Sequence, residues 1–356
     1  MNKLKVAVVG CGSISSLHIE SYLALENVEL YALCDIDETR VKKKGEKYGV
    51  TRLYTDEAEM LKELPEIDLV SVCVWNCAHA PCAIMALNAG KHVLVEKPMA
   101  TTVEEGLAMQ EAAKKNNRLL MIAFVRRYGL DCDIVKNFIA NDQVGEMYYA
   151  KACYLRRNGN PGGWFCNVEM SGGGPVIDIG VHVIDLVRYL LGNPKPVSVY
   201  GVTFNKLGSR RHSIKNMQVG YASAGFGINE VDNCEDMASA LIRFDNGAVL
   251  NVEVSFDLNT PDSMGIQLFG TKAGVHVNEE GVKLYSENSG YLTNITMDGK
   301  TKLDVKKAFQ TEIAHFVAAS QGEVECISPA EDGIELMKIL TAIYRSAKSG
   351  HEEVIQ

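Results

Sequence analysis

The sequence predicts a two-domain α/β protein: a doubly wound parallel sheet at the N-terminus, then an α+β domain on a large, open, mostly antiparallel sheet. Three observations carry this. At 356 residues the chain exceeds one core of usual size. Residues 1–123 alternate short, continuous apolar runs with helical segments, the pattern of strands buried on both faces. After Phe124 the apolar residues alternate with polar ones in longer segments broken by turns. The domains are therefore placed at 1–123 and 124–356.

In the first domain, strands are expected at Leu4–Val9, Leu30–Cys34, Leu69–Val74, His92–Val95 and Leu119–Ala123. A short run near Thr51–Tyr54 makes a sixth. Thr102-Val103-Glu104-Glu105 reads as a capping box that starts a helix, and Gly90 stops the helix that carries His79. In the second domain, strands are expected at Met147–Leu155, Val197–Phe204, Met237–Phe244, Ala248–Phe256 and Gly265–Phe269. Asp245-Asn246-Gly247 is a hairpin turn. The polar stretch Asn205–Asn233 has no period and reads as a long loop. A closing helix spans about 329–349.

Composition narrows the function. A formal charge of −9 argues against nucleic acid, despite local basic patches at Lys42-Lys43-Lys44 and Arg210-Arg211. No uninterrupted apolar run approaches a membrane span, and Met1-Asn2-Lys3 leads directly into a strand, so a cytoplasmic location without membrane contact is expected. The ten cysteines include no Cys-x-x-Cys, and Cys73, Cys77 and Cys82 match no zinc spacing. They read as reduced, buried thiols, with no metal site.

Val8-Val9-Gly10-Cys11-Gly12-Ser13-Ile14-Ser15 follows the first strand and opens a helix. There Gly10 makes the tight turn, Gly12 lets backbone approach a pyrophosphate, and the helix N-terminus attracts its charge. Ser15 replaces the third glycine of the fingerprint, which predicts looser helix–strand packing. Asp35 ends the second strand 23 residues beyond Gly12, where a carboxylate bonds a ribose 2′-hydroxyl and repels a 2′-phosphate. NAD is favoured over NADP. Arg40 is either a solvated helix residue or a side chain folded back over the ribose.

Glu96-Lys97-Pro98 follows the fifth strand. Farther on, Gly172-Gly173-Gly174-Pro175 leads into a helix on which Asp178 and His182 are four apart, one above the other. Ile177, Val181, Ile184 and Leu191 form its apolar stripe, and Asp185 is read as structural. A lysine, a histidine that titrates near neutrality and a carboxylate can move a proton off an alcohol. Arg156-Arg157-Asn158-Gly159-Asn160-Pro161-Gly162-Gly163-Trp164 is the substrate-reading candidate: Arg157 can fork onto a carboxylate or hydroxyl pair, and Trp164 can stack on a sugar ring.

With Gly10-x-Gly12, Ala89–Pro98, Ser171–Gly192, Glu235-Asp236-Met237-Ala238 and Arg243–Gly247 together, the chain resembles, nearly end to end, the glucose–fructose oxidoreductase/inositol dehydrogenase/rhizopine-catabolism (Gfo/Idh/MocA) family. The resemblance implies a Rossmann domain, an open-sheet domain that builds homodimers or homotetramers, and pyridine-nucleotide-dependent oxidation or reduction of sugars and polyols. It implies that Lys97 contacts the reacting hydroxyl and the cofactor, that a cis peptide precedes Pro98, that Asp178 grips a neighbouring hydroxyl, and that His182 is the acid/base. Trp75, Asn76 and His79 are implied near the nicotinamide, although Trp75-Asn76 departs from the Thr/Pro-Asn type pair of many relatives. Arg127 matches a family arginine close to the cofactor. Cys11, Ser13, Ile14, Ile36 and Glu96 complete the expected cofactor contacts. The expected function is an NAD(H)-dependent oxidoreductase acting on a sugar, polyol or derivative. The rivals are NAD-dependent sugar cleavage through transient oxidation without net redox change, and a non-catalytic nucleotide sensor.

Overall fold

A computed structural model describes residues 3–207 and 231–355. The core of the expected Asn205–Asn233 loop, and Arg210-Arg211 with it, lie outside the described residues.

The chain divides into two compact units, Met1–Val125 with Val305–Ile334, and Arg126–Asp304 with Glu335–Gln356. The first is built on a six-stranded parallel sheet of order β3-β2-β1-β4-β5-β6. Its strands are β1 (Leu4–Val9), β2 (Val28–Cys34), β3 (Leu53–Tyr54), β4 (Leu69–Val72), β5 (His92–Glu96) and β6 (Leu120–Ala123). Val6–Val8, Val70, Val72, Val93–Val95 and Met121–Ile122 are fully buried, as strands covered on both faces must be. The intervening helices are α1 (Ser15–Leu23), α2 (Glu38–Tyr48), α3 (Glu57–Glu63), α4 (Asn76–Asn88) and α5 (Val103–Asn116). The capping box at Thr102 and Glu105 is formed, and Gly90 takes a left-handed φ of 77° just after α4.

The strand order reverses between β1 and β4, the place where open α/β sheets take their ligands. Asp37, Asp56 and Thr102 cap α2, α3 and α5 with their side chains. The helices that follow β1 and β4 differ: no side chain caps α1 or α4. Two uncapped N-termini thus begin beside the reversal point, where their amides favour negative charge.

The second unit contains α6 (Leu130–Ala140), β7 (Met147–Leu155), α7 (Val168–Ser171), a π-helical turn at Val176–Gly180 and α8 (Val181–Leu190). Its sheet continues with β8 (Pro196–Phe204), β9 (Met237–Phe244), β10 (Val249–Ser255), β11 (Ser263–Gly270), β12 (Ala273–Asn278), β13 (Gly281–Asn288) and β14 (Tyr291–Thr296), and β15 (Glu353–Val354) closes one edge. The nine strands run β14-β13-β12-β11-β7-β10-β9-β8-β15, antiparallel except for the β7–β10 pair. On one face Ala150, Ala152, Ile242, Leu250, Val252, Ile266 and Leu268 are buried. The opposite face carries the paired Tyr200 and Leu241, 49% and 42% exposed, and a row of rings from Tyr149 through Phe269 and His276 to Tyr285.

Four expectations change. The second domain is not the uninterrupted 124–356. Helix α9 (Val305–Ser320), which the sequence reading passes over, belongs to the first unit, where it packs along α1 and brings the Phe309 ring 5.6 Å from His18. The start of α10 (Ala330–Ser349) also belongs there, and the Ile122 amide donates to the Ser328 carbonyl. Strands β12, β13 and β14 extend the open sheet beyond the expected set. Finally, the segment Val168–Leu190 is long and apolar enough by composition to cross a membrane, but 78% of its most apolar window is buried inside the structure, as in a core helix. All ten cysteines are free; Cys77, Cys82, Cys153 and Cys326 are half-buried where full burial was expected. Among the described residues no group of three or more His, Cys, Asp or Glu side chains is arranged to hold a metal ion.

Candidate active site

At the glycine turn, the Gly10 amide donates to the Cys34 carbonyl at 2.8 Å. Its φ is 94°, and a Cβ there would lie 2.3 Å from the Cys73 carbonyl oxygen, so only glycine fits. A Cβ on Gly12 would have nothing within 4 Å, so this backbone faces open space beside the uncapped start of α1. Asp35 is buried at the end of β2. One oxygen accepts the Cys11 amide at 2.6 Å and the other the Asp37 amide at 2.9 Å. These bonds tie the glycine turn to the Asp35 carboxylate and leave it further lone pairs. Ile36 stands 74% exposed next to it. A dinucleotide fits this cradle: backbone room at Gly12, an anion-favouring helix start and a fixed acceptor at Asp35.

Ser15 does not loosen the packing as expected. It is fully buried and its hydroxyl donates to the Gly12 carbonyl at 2.8 Å. Arg40 forms an ion pair with Asp37 at 3.3 Å on the same helix. Lys44, read only as part of a basic patch, proves to reach the turn, where its ammonium donates to the Gly12 carbonyl at 2.9 Å and to Ser16 Oγ. Burial lowers its pKa. Its signal in the sequence is helical spacing, since Lys44 follows the buried Val41 by three.

At the end of β5 the Lys97–Pro98 peptide is cis. The Lys97 amide donates to Glu96 Oε2 at 3.1 Å, and His79 Nδ1 lies 2.7 Å from the Pro98 carbonyl it faces as donor. His79 Nε2 lies 3.2 Å from the Val74 carbonyl. Both ring nitrogens of His79 therefore face backbone and support this turn, and burial lowers its pKa. Trp75 is half-buried at the start of α4, and Asn76 beside it is buried.

From Gly173 to Arg188 every residue is buried except Asp178 and His182. The helix is not regular here: the five-residue π turn at Val176–Gly180 carries Asp178, and His182 stands in the first α turn after it. Such turns add a residue to the helix and recur at functional sites. Glu235, named above only within a motif, holds its entrance. It accepts the Gly174 and Val176 amides at 3.0 and 3.1 Å and the Tyr344 hydroxyl at 2.8 Å. Burial raises its pKa, and these three donors oppose the rise. A Cβ on Gly174 would come 2.3 Å from the Glu235 carbonyl oxygen, which is why glycine precedes Pro175.

The buried Arg127 guanidinium forks onto Asp185 at 3.0 and 2.6 Å and covers the Tyr189 ring, which locks α8 inside the second unit. Of the loop arginines, Arg156 donates to the Gly159 carbonyl and lies against Tyr154. Arg157 is exposed, with its backbone amide fixed by Asp262. Trp164 is half-exposed and stacked on Phe165 at 3.9 Å.

The first unit carries a parallel sheet with a dinucleotide cradle, and the second a buried helix on which an acid and an imidazole are half-exposed; these are features of an NAD-binding oxidoreductase. Comparison with known proteins agrees. Residues 4–124 match the family model described as an oxidoreductase family with an NAD-binding Rossmann fold, and residues 133–276 match the GFO/IDH/MocA C-terminal domain. The chain belongs to the Gfo/Idh/MocA oxidoreductase family. It is 34% identical over 351 residues to D-glucoside 3-dehydrogenase of Escherichia coli K12, covering 98% of this chain and 96% of that one. It is 27% identical to levoglucosan dehydrogenase of Pseudarthrobacter phenanthrenivorans, covering 79% and 75%. Among solved structures, an aldose-aldose oxidoreductase from Caulobacter crescentus superimposes with a TM-score of 0.82 at 25% identity, covering 99% and 100% of the two chains. A levoglucosan dehydrogenase–NADH complex shares the fold, with a TM-score of 0.83 over the full length of both chains.

Proposed function

We propose that this enzyme oxidises a hydroxyl of a sugar, glycoside or cyclic polyol, with Lys97, Asp178 and His182 acting on the substrate. The observation that carries the reading is that Asp178 and His182 alone are only half-buried along an otherwise buried stretch of sixteen residues. Solvated acid and base groups on a core helix serve a ligand, because packing alone would favour apolar side chains there. The glucoside and levoglucosan substrates in the relatives' names support the substrate class.

Bound NAD+ supplies the hydride acceptor. Gly10, Cys11, Gly12, Ser13 and Ile14 hold its pyrophosphate, Asp35 its adenosine ribose and Ile36 its adenine face, with Arg40, Trp75, Asn76 and Glu96 nearby. Lys97 Nζ donates a hydrogen bond to the reacting oxygen and stabilises the negative charge that develops there. The His182 imidazole receives the hydroxyl proton and returns it in the reverse direction. Asp178 accepts a hydrogen bond from a neighbouring hydroxyl and fixes the ring. Arg157 and Trp164 read the rest of the sugar.

The ten free thiols suit a reducing compartment and support a cytoplasmic location. The apolar face around Tyr200 and Leu241 is assigned to a homodimer or homotetramer. The deciding experiment measures NADH release with methyl glucosides, levoglucosan and myo-inositol. Stoichiometric NADH supports the reading. Sugar turnover without NADH release identifies cleavage through transient oxidation, and NAD binding with no turnover identifies a sensor.

A further inference from the structure

We propose that His18 is a positioning residue for Lys97, acting through Glu96. The inference rests on the reading that Lys97 serves the substrate hydroxyl. His18 sits on α1, is fully buried, and points Nε2 at Glu96 Oε1, 2.9 Å away. The other oxygen of Glu96 accepts the Lys97 amide. Behind the ring, Nδ1 lies 3.3 Å from Ser71 Oγ, which is 2.8 Å from the Tyr22 hydroxyl. A continuous buried chain thus runs from Tyr22 through Ser71, His18 and Glu96 to the backbone of Lys97.

Packing alone does not account for it. A carboxylate at the end of a core strand is costly to bury, and an apolar residue there would be cheaper. Burial pushes the Glu96 carboxyl upward, yet the His18 hydrogen bond, with the charges of His18, Lys97 and His79, holds it below its ordinary value. Glu96 is thereby a fixed, ionised acceptor for one amide. On the far side of the turn, His79 holds the Pro98 carbonyl. The peptide that enters Lys97 and the peptide that leaves Pro98 are thus each held by a buried side chain, and His18 acts on the first of them through Glu96.

Two substitutions separate the two ring nitrogens. His18→Gln keeps a donor near the Nε2 position and so the Glu96 bond. His18→Asn keeps one near Nδ1 and so only the Ser71 contact. The expected result is a kcat for sugar oxidation about tenfold or more lower in His18→Asn, with KM for NAD+ unchanged, and recovery in His18→Gln. The amide of Lys97, followed by residue-resolved hydrogen exchange, should exchange about tenfold faster in His18→Asn and at the wild-type rate in His18→Gln. Equal protection of that amide in all three proteins overturns the proposal, as does equal loss of kcat in both variants. If His18→Asn does not fold, Glu96→Gln, which replaces one of the two carboxylate acceptors with a donor NH2, takes its place, and unchanged Lys97 exchange and kcat there overturn the proposal. A wild-type protein that oxidises no sugar alcohol defeats the functional reading, while the exchange measurement still decides this one.

Discussion

Lys97 and His182 carry the sharpest expectation at the scale of single residues. Lys97→Ala and His182→Ala should each lower kcat by roughly 10²–10⁴-fold, the usual worth of a positioned acid or base. NADH binding, followed by its fluorescence, should survive in both. Motif and helical spacing name both residues in the sequence. A sequence gives a residue's place along the chain but not which way its side chain turns, so the Arg127–Asp185 fork and the backbone contacts of His79 were not legible. Another residue was silent altogether. Glu57 is buried, and apart from the Cys82 thiol its carboxylate has no partner, so burial raises its pKa to about 7. The unfolded state releases this proton near pH 4.5 while the folded state keeps it, so stability falls as pH rises between these values and the penalty is complete above 7. Denaturation at pH 5, 6, 7 and 8 should show Glu57→Gln gaining on wild type by up to about 3 kcal/mol, mostly before pH 7.

Among the elements, the entrance to the Asp178–His182 helix is the most exposed to mutation. Glu235→Ala removes the acceptor for two helix amides and the Tyr344 hydroxyl. It should cost about 1–3 kcal/mol in chemical denaturation. It should also lower kcat more than Tyr344→Phe, which leaves both amide bonds in place. The helix itself was legible from Pro175 and its apolar stripe, but the π turn was not, because an i→i+5 bond leaves no mark on a pattern read at 3.6 residues per turn. Helix α9 did leave a mark: Phe309, Ile313, Phe316 and Val317 repeat at three and four. Strand β14 is exposed along most of its length, so its alternation is weak, whereas β12 alternates buried and half-buried residues and did leave a mark.

For the whole molecule, the open sheet face gives the clearest expectation. Tyr200→Lys with Leu241→Lys places two cations on the apolar cross-strand pair. Light scattering at matched concentration should show the doubly substituted protein as a monomer and the parent as a dimer or tetramer. The two-sheet plan was legible because a parallel core strand and an alternating antiparallel strand have different periods. The discontinuity of the first unit was not, since no local pattern reports where a distant helix returns.

That discontinuity affects how the chain is made. The ribosome finishes the six parallel strands some 180 residues before it begins the segment that shields α1. At roughly 5–20 residues per second, the nascent nucleotide-binding half waits about 10–35 s with the side of α1 beside His18 uncovered. A gene fragment ending at Val125 should therefore yield aggregated product, and co-expression of residues 305–334 in trans should return it to the supernatant.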